Sequence, residues 1–291
     1  MQYRHVFHAG NFADVHKHIA LLQLLEALKK KAKGFLYLDT HAGEGLYDLA
    51  GADARHSAES QSGFLRLEAA SLPNAAKIPD AIRHYLDMVR AIREHHGGTR
   101  PVYPGSPLLA AASLREVDTA VYVESQAPES RALQRALERS VPTHGGRHRV
   151  LHGDGYQALR AHLPPTSRRG LVLIDPPYES GEEERSITTA LQDGLVRFET
   201  GVFVVWYPIK KRHDSDLWLA RLLRDVSRPA LTAEFCLHAP DHAAGLNGSG
   251  MLVVNPPWQL NTQIAAWQPR LEEMLGATGG SQVRWLVRET T

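Results

Sequence analysis

Leu171-Val172-Leu173-Ile174-Asp175-Pro176-Pro177-Tyr178 is the stretch on which the reading of this chain turns. The four apolar residues read as a short buried strand. A carboxylate, two prolines and an aromatic ring then stand at its end. Each proline fixes its own φ and removes a backbone donor, which leaves the Pro176 carbonyl facing outward as an acceptor. A carboxylate and a carbonyl side by side, with a ring next to them, suit a planar heterocycle carrying an exocyclic amine. Asp-Pro-Pro is equally good turn chemistry, so this stretch alone fits a plain strand-end turn as well.

Outward from it, strands alternate with helices. Apolar residues at three- and four-residue spacing predict helices over 13–32 and 80–95, and Ser106-Pro107 predicts a helix opening with Ser as its cap. Phe35–Asp39, Ala120–Glu124, Arg149–His152, Val202–Trp206, Leu231–Leu237 and Met251–Val254 read as further strands. The alternation implies an α/β fold with a parallel sheet and helices on both faces.

The loop after the first strand holds Gly43-x-Gly45 but lacks the third glycine of a dinucleotide fingerprint, which argues against NAD or FAD. An acid that binds ribose hydroxyls is expected about 20 residues onward. Here the candidate is Glu124, much further along. An extra segment explains the gap, so 48–104 reads as a mainly helical insertion within a single domain of 1–291, and Ser106 should return in space beside Gly43 and Gly45. Asp39, Glu124, Asp154 and Asp175 all fall at carboxyl ends of predicted strands, the edge where such sheets bind ligands. Each alone could be a turn residue. Four acids together fit a cationic ligand rich in hydroxyl and amino donors, such as S-adenosylmethionine, and would repel a phosphate.

The bulk composition is that of an ordinary globular protein, with 43% hydrophobic and 22% charged residues. No apolar run approaches the roughly 18 residues that span a membrane. The single cysteine, Cys236, fits a reducing cytoplasm, and no secretory signal is evident. The first 33 residues carry six Lys/Arg against two acids. That excess predicts a helix able to hold phosphates, although Lys29 to Lys33 also fit a solvated basic helix end. His16 and His18 point to different helix faces and leave no metal site expected.

The order of Gly loop, Glu124, Asp154 and Asp-Pro-Pro-Tyr resembles class I amino-methyltransferases acting on adenine N6 or cytosine N4. Tyr3-Arg4-His5-x-Phe7-His8-Ala9-Gly10-Asn11-x-Ala13-Asp14-Val15-x-Lys17-His18 narrows the likeness. So do Leu38-Asp39-Thr40-His41-Ala42-Gly43-x-Gly45 and Tyr103-Pro104-Gly105-Ser106-Pro107. Together they resemble the RlmJ family of 23S ribosomal RNA adenine-N6 methyltransferases over nearly the full length. The resemblance implies a class I Rossmann-like fold with a doubly wound sheet and a helical insertion. It implies that His18, His41, Gly43, Ser106, Glu124, Asp154, Gly155 and Asp175 contact S-adenosylmethionine. Asp175, Pro176 and Tyr178 would be catalytic, and Tyr3, Arg4 and Lys17 would contact RNA. A cytoplasmic monomer acting on 23S rRNA is expected.

A DNA adenine or cytosine methyltransferase is the competing expectation, but it would need a target-recognition domain larger than 48–104. Asn255-Pro256-Pro257-Trp258 also follows an apolar strand and resembles a variant of the clamp. Its place on the last strand marks it as a strand-end turn, bordering the substrate cleft at most. Trp206-Tyr207-Pro208 after the fifth strand could also line that cleft or simply pack, with core packing the expectation for Trp206.

Overall fold

The computed structural model describes residues 5–72, 77–96, 98, 101–140, 146–179, 181–239, 242 and 245–288. After a 3-10 turn at His5–Phe7 come α1 (Phe12–Lys29), β1 (Leu36–Asp39), β2 (Leu46–Asp48), α2 (Ala52–Ser57), α3 (Glu59–Ser62), α4 (Phe64–Ser71) and α5 (Asp80–His95). Then follow β3 (Val102–Pro104), α6 (Ser106–Ser113), β4 (Thr119–Glu124), α7 (Ala127–Ser140), β5 (Arg147–His152), α8 (Gly155–His162) and β6 (Gly170–Ile174). The chain continues through α9 (Glu183–Arg197), β7 (Val202–Ile209), α10 (Arg212–Leu222), β8 (Ala230–Cys236), β9 (Gly248–Val254), α11 (Leu260–Leu275) and β10 (Gly280–Val287).

Among the described residues one eight-stranded sheet runs in the order β10-β8-β9-β7-β6-β1-β4-β5. Its pairs from β5 to β7 are parallel, as the alternation of strands and helices requires. The expected parallel sheet is extended on the other side by antiparallel strands: β9 pairs antiparallel with both β7 and β8, and β10 antiparallel with β8. Only residues 237–247 join β8 to β9, too few for a helical crossover, so β9 returns in the opposite sense.

Alternate residues of β1 face opposite layers. Phe35 and Tyr37 pack with α1, α5, α6 and α11, while Leu36 and Leu38 pack with α8, α9 and α10. Both faces are thus covered, and the sheet is doubly wound. Helix α1 is the central member of the first layer, with 14 of its 18 residues buried. Asn11 caps it by accepting from the Asp14 amide at 2.9 Å.

The segment between β1 and α6 is bracketed by a small ribbon in which β2 pairs antiparallel with β3. Helices α2 to α5 lie between these two strands, and α5 packs on α1 through Ile82, Leu86 and Val89. Gly105 donates to the Gly45 carbonyl at 2.8 Å, which returns Ser106 to the loop after β1.

Candidate active site

β1 is the point at which the strand order reverses: β4 and β5 lie on one side of it, β6 and β7 on the other. Ligands of open α/β sheets bind outside the carboxyl ends of the strands at such a point. The register aligns Asp39 with Tyr122 of β4 and Leu173 of β6. Two residues further along each neighbour stand Glu124 and Asp175, flanking the loop that begins at Thr40. Both line a cavity of about 440 Å³ together with His18, His41, Gly43, Ser106, Pro176, Tyr178 and Trp206.

On the β4 side, Glu124 accepts from the amides of Gly43 at 2.8 Å and Gln126 at 2.7 Å. Two backbone bonds fix the carboxylate against the Gly loop. Gly43 has φ +62°, and a Cβ there would sit 2.3 Å from the Tyr47 hydroxyl, so only glycine fits. Burial pushes His41 down to about 4, which leaves its ring neutral at the cavity wall.

On the β6 side, Lys17 reaches across from α1. Its ammonium donates to Asp175 at 2.6 Å and lies 2.9 Å from Asp14. Burial disfavours the ammonium, but Asp14 and Asp175 outweigh it and raise Lys17 above its ordinary value. Burial also works against the Asp14 carboxylate, yet Lys17 and His5 hold it well below the usual range. The Asp14 carboxylate further accepts from the Gly10 amide and pairs with His5, each at 3.0 Å.

Tyr178 closes this side with φ +54°, a conformation that costs a non-glycine residue about 1 kcal/mol or more. Its hydroxyl donates to the Trp206 carbonyl at 2.5 Å, and the two rings meet edge to face 5.6 Å apart. The Lys17 ammonium lies 5.7 Å from the centre of the Trp206 ring. The Trp206 indole in turn donates to Ser249 Oγ at 2.9 Å, and His16 meets the same oxygen at 3.0 Å. Trp206 lines the cavity, the less expected of the two readings open to it.

Other expected residues sit differently. Asp39 is fully buried beneath the cavity, accepting from Ser106 Oγ at 2.7 Å and Tyr37 at 2.9 Å, and burial raises it to about 6. Ser106 accordingly does not cap α6; Gly105 holds that position. Asp154 caps α8 instead, accepting from Tyr156 N at 2.8 Å, and does not line the cavity. Gly155 packs so closely on Thr40 that a Cβ would fall 1.9 Å from its carbonyl oxygen. Of the four strand-end acids, two line the cavity, Glu124 and Asp175; Asp39 is buried beneath it and Asp154 is turned to the start of α8. His18 lines the cavity edge, bonded to the Tyr103 hydroxyl at 2.8 Å, and burial lowers it to about 3. Lys17 is buried against Asp175, so α1 does not present it as a surface cation. Tyr3 and Arg4 lie outside the described residues.

Sequence reading missed the Asp14–Lys17–Asp175 bridge, whose one available signal was the i, i+3 spacing of Asp14 and Lys17. It also missed exposed Lys210 at the cavity mouth.

A switch-point cleft with Glu124 on one neighbouring strand and Asp-Pro-Pro-Tyr on the other is the arrangement expected of a Rossmann-like methyltransferase. Comparison with known proteins agrees. A family profile described as "Ribosomal RNA large subunit methyltransferase D, RlmJ" matches residues 32–287. The chain is 37% identical to "Ribosomal RNA large subunit methyltransferase J" of Escherichia coli K12, over 99% of this chain and 100% of that one. It is likewise 37% identical to the protein of the same name from Haemophilus influenzae, with the same coverage. Among solved structures, protein LPL1258 of Legionella pneumophila superposes with a TM-score of 0.82 at 32% identity, covering 97% of this chain and 99% of that one. The chain belongs to the RlmJ family.

Proposed function

We propose that this chain transfers a methyl group from S-adenosylmethionine to the N6 amine of an adenine in 23S ribosomal RNA. The observation that carries the reading is that the Asp175 clamp and the Glu124–Gly43 wall share one cavity. Its volume falls in the range of small-molecule sites.

The donor set suits S-adenosylmethionine. Glu124 offers carboxylate oxygens to ribose hydroxyls, and Gly43 allows close approach of the ligand to the backbone. The carboxylates of Glu124, Glu129 and Asp175 on the wall suit a ligand carrying positive charge. When bound, that ligand supplies an already activated methyl group.

The chain's own residues have three tasks. The first is to hold the target amine. Lys17 takes Asp175 Oδ2 and fixes the carboxylate plane, which leaves Oδ1 to accept one N–H while the Pro176 carbonyl accepts the other. Both N–H bonds held in this way favour a pyramidal nitrogen whose lone pair faces the methyl group. The second is to hold the base, which must leave any stack to enter; Tyr178, braced by Trp206, offers the ring beside it. The third is to receive the amine proton, which passes to Asp175 Oδ1 or to water beside it. Most of the rate gain is positioning. Lys210 at the mouth offers a contact for phosphate.

Incubation with labelled S-adenosylmethionine and, in separate reactions, protein-free rRNA, large ribosomal subunits and duplex DNA tests this. N6-methyladenosine in ribosomal RNA is expected by nucleoside mass spectrometry. Label only in DNA, or label as methylcytosine, would sink the reading.

A further inference from the structure

The sheet has a second concave surface at its other edge, where the parallel strands begin. It is a groove of about 500 Å³ lined by the C-terminal end of α1 with Lys30 and Lys31, the Arg168-Arg169 turn before β6, and the Pro257-Trp258 turn after β9. Four lining residues are cationic and none is acidic. Nearby carboxylates are already matched, Glu26 with Lys29, Asp118 with Arg115 and Glu199 with Arg228.

The simplest account of lysines at a helix C-terminus is that they offset the negative end of the helix dipole. Here two arginines already do so. Arg115 donates to the carbonyls of Lys29 and Lys31, each at 3.0 Å, and Arg169 donates to those of Leu28, at 2.6 Å, and Lys33. Lys30, Lys31 and Arg168 remain exposed around the groove. Beside them Trp258 is 82% exposed, the most exposed aromatic ring among the described residues. Exposed cations beside an open indole face are the chemistry of single-stranded nucleic acid binding: phosphates on the cations, a base on the ring.

We propose that this groove is a second docking surface for the RNA substrate, holding a single-stranded stretch while the target adenine occupies the cleft at the opposite edge. The proposal rests on the reading that the substrate is RNA. Helix α1 connects the two places: Asp14 and Lys17 stand at its cleft end and Lys30 just past its other end, about 20 Å away at 1.5 Å per residue. An RNA hairpin with an unpaired tail spans such a distance easily.

The test is binding of the full-length protein to protein-free 23S rRNA as a function of salt, with transfer kinetics run in parallel. The variants are a triple Lys30→Ala, Lys31→Ala, Arg168→Ala and a single Trp258→Ala, all at exposed positions, with thermal unfolding confirming the fold. The triple variant is expected to bind at least tenfold more weakly near physiological salt. Its log–log salt slope should shrink by about 2, at roughly 0.7 per phosphate contact on a single strand. Trp258→Ala should weaken binding about tenfold with the slope unchanged, and Trp258→Phe should recover most of it. In all of them kcat at saturating RNA should match the wild type.

Unaltered affinity and slope in both sets would overturn the proposal. So would loss of binding to anionic phospholipid vesicles with RNA binding intact, which would assign the groove to a membrane surface. Methyl transfer by the wild type is scored separately, so a failure of the functional reading shows as absent label, and a failure of the groove shows as unchanged binding.

Discussion

The chain carries two nearly identical strand ends, Asp175-Pro176-Pro177-Tyr178 after β6 and Asn255-Pro256-Pro257-Trp258 after β9, and the fold puts them at opposite edges of one sheet. Each includes a residue in the left-handed region, Tyr178 at φ +54° and Asn255 at φ +55°. The difference lies in strand direction. Because β6 runs parallel to β1, its end joins the switch-point cleft. Because β9 runs antiparallel to β7, with Val254 opposite Phe203, its end lies where β7 begins. There the Asn255 amide group donates to the carbonyls of Glu199 at 2.9 Å and Gly201 at 2.8 Å. The same local chemistry is a candidate base clamp in one place and a loop tie in the other. Asn255 does not border the substrate cleft.

The comparison can be broken most forcefully at Lys17. Lys17→Met leaves the buried Asp14 and the partly buried Asp175 carboxylates facing each other without the ammonium between them. A loss of about 3–5 kcal/mol of stability is expected in urea unfolding, the usual cost of stripping one partner from a buried pair. Adding Asp14→Asn should restore part of the stability but not methyl transfer. No equivalent bridge stands behind Asn255, so no single substitution there should reach that cost.

Asp175→Ala should lower kcat for methyl transfer by about 10²–10³-fold while the protein stays folded, as loss of a positioned polar contact to the reacting group does. Asn255→Ala should leave kcat within about twofold. Equal loss in the two variants would show that the two ends are not functionally distinct.

The cleft and the layer beneath it also bury titratable groups, which gives this end of the sheet a pH signature. Burial lowers His16 and His18 to about 3 and His41 to about 4. Their contribution to stability is complete above the ordinary histidine value of 6.5 and is lost as pH falls toward those folded values. Asp39, raised to about 6 by burial, works the other way: its contribution is present at low pH and lost as pH rises from 3.8 through 6. Three histidines outweigh one carboxyl, so stability should fall on the order of 3 kcal/mol per pH unit between pH 6 and 5. Hydrogen exchange across that window should show protection fading first at the N-terminal turns of α1 and the end of β1. Earlier loss at the 255–258 turn would contradict this.

The smallest effect belongs to Asn255 itself. Asn255→Ala removes two bonds to backbone carbonyls and places an alanine at φ +55°, with an expected cost of about 1–2 kcal/mol. Asn255→Gly, which keeps the backbone comfortable, should cost about 1 kcal/mol, read from the urea midpoint.

Much of this was legible from the chain alone because it depends on short-range patterns. Apolar runs placed most of the sheet, and the delayed Ser106-Pro107 helix pointed to further helices between β1 and α6. Asp175 and Glu124 were expected at one edge because strand-end acids mark where such sheets bind ligands, and the fold sets both on one cavity. Asp39 and Asp154 share that signal but do not line the cavity, a distinction that only packing makes. Strand β10 was unreadable because its alternation is weak and none of its residues is fully buried. Trp206 looked like core because a tryptophan inside an apolar strand usually is.

By itself the sequence determined which residues form most of the strands and which strand ends carry acids, prolines and aromatic rings, since these follow from periodicity and from the fixed chemistry of proline and carboxylate. Tertiary structure alone decided which of the two Pro-Pro strand ends faces the cleft. It also turned Lys17 inward to bridge Asp14 and Asp175. Both outcomes depend on the direction and neighbours of a strand, and these are settled by contacts between residues far apart in the chain, 158 positions in the case of Lys17 and Asp175.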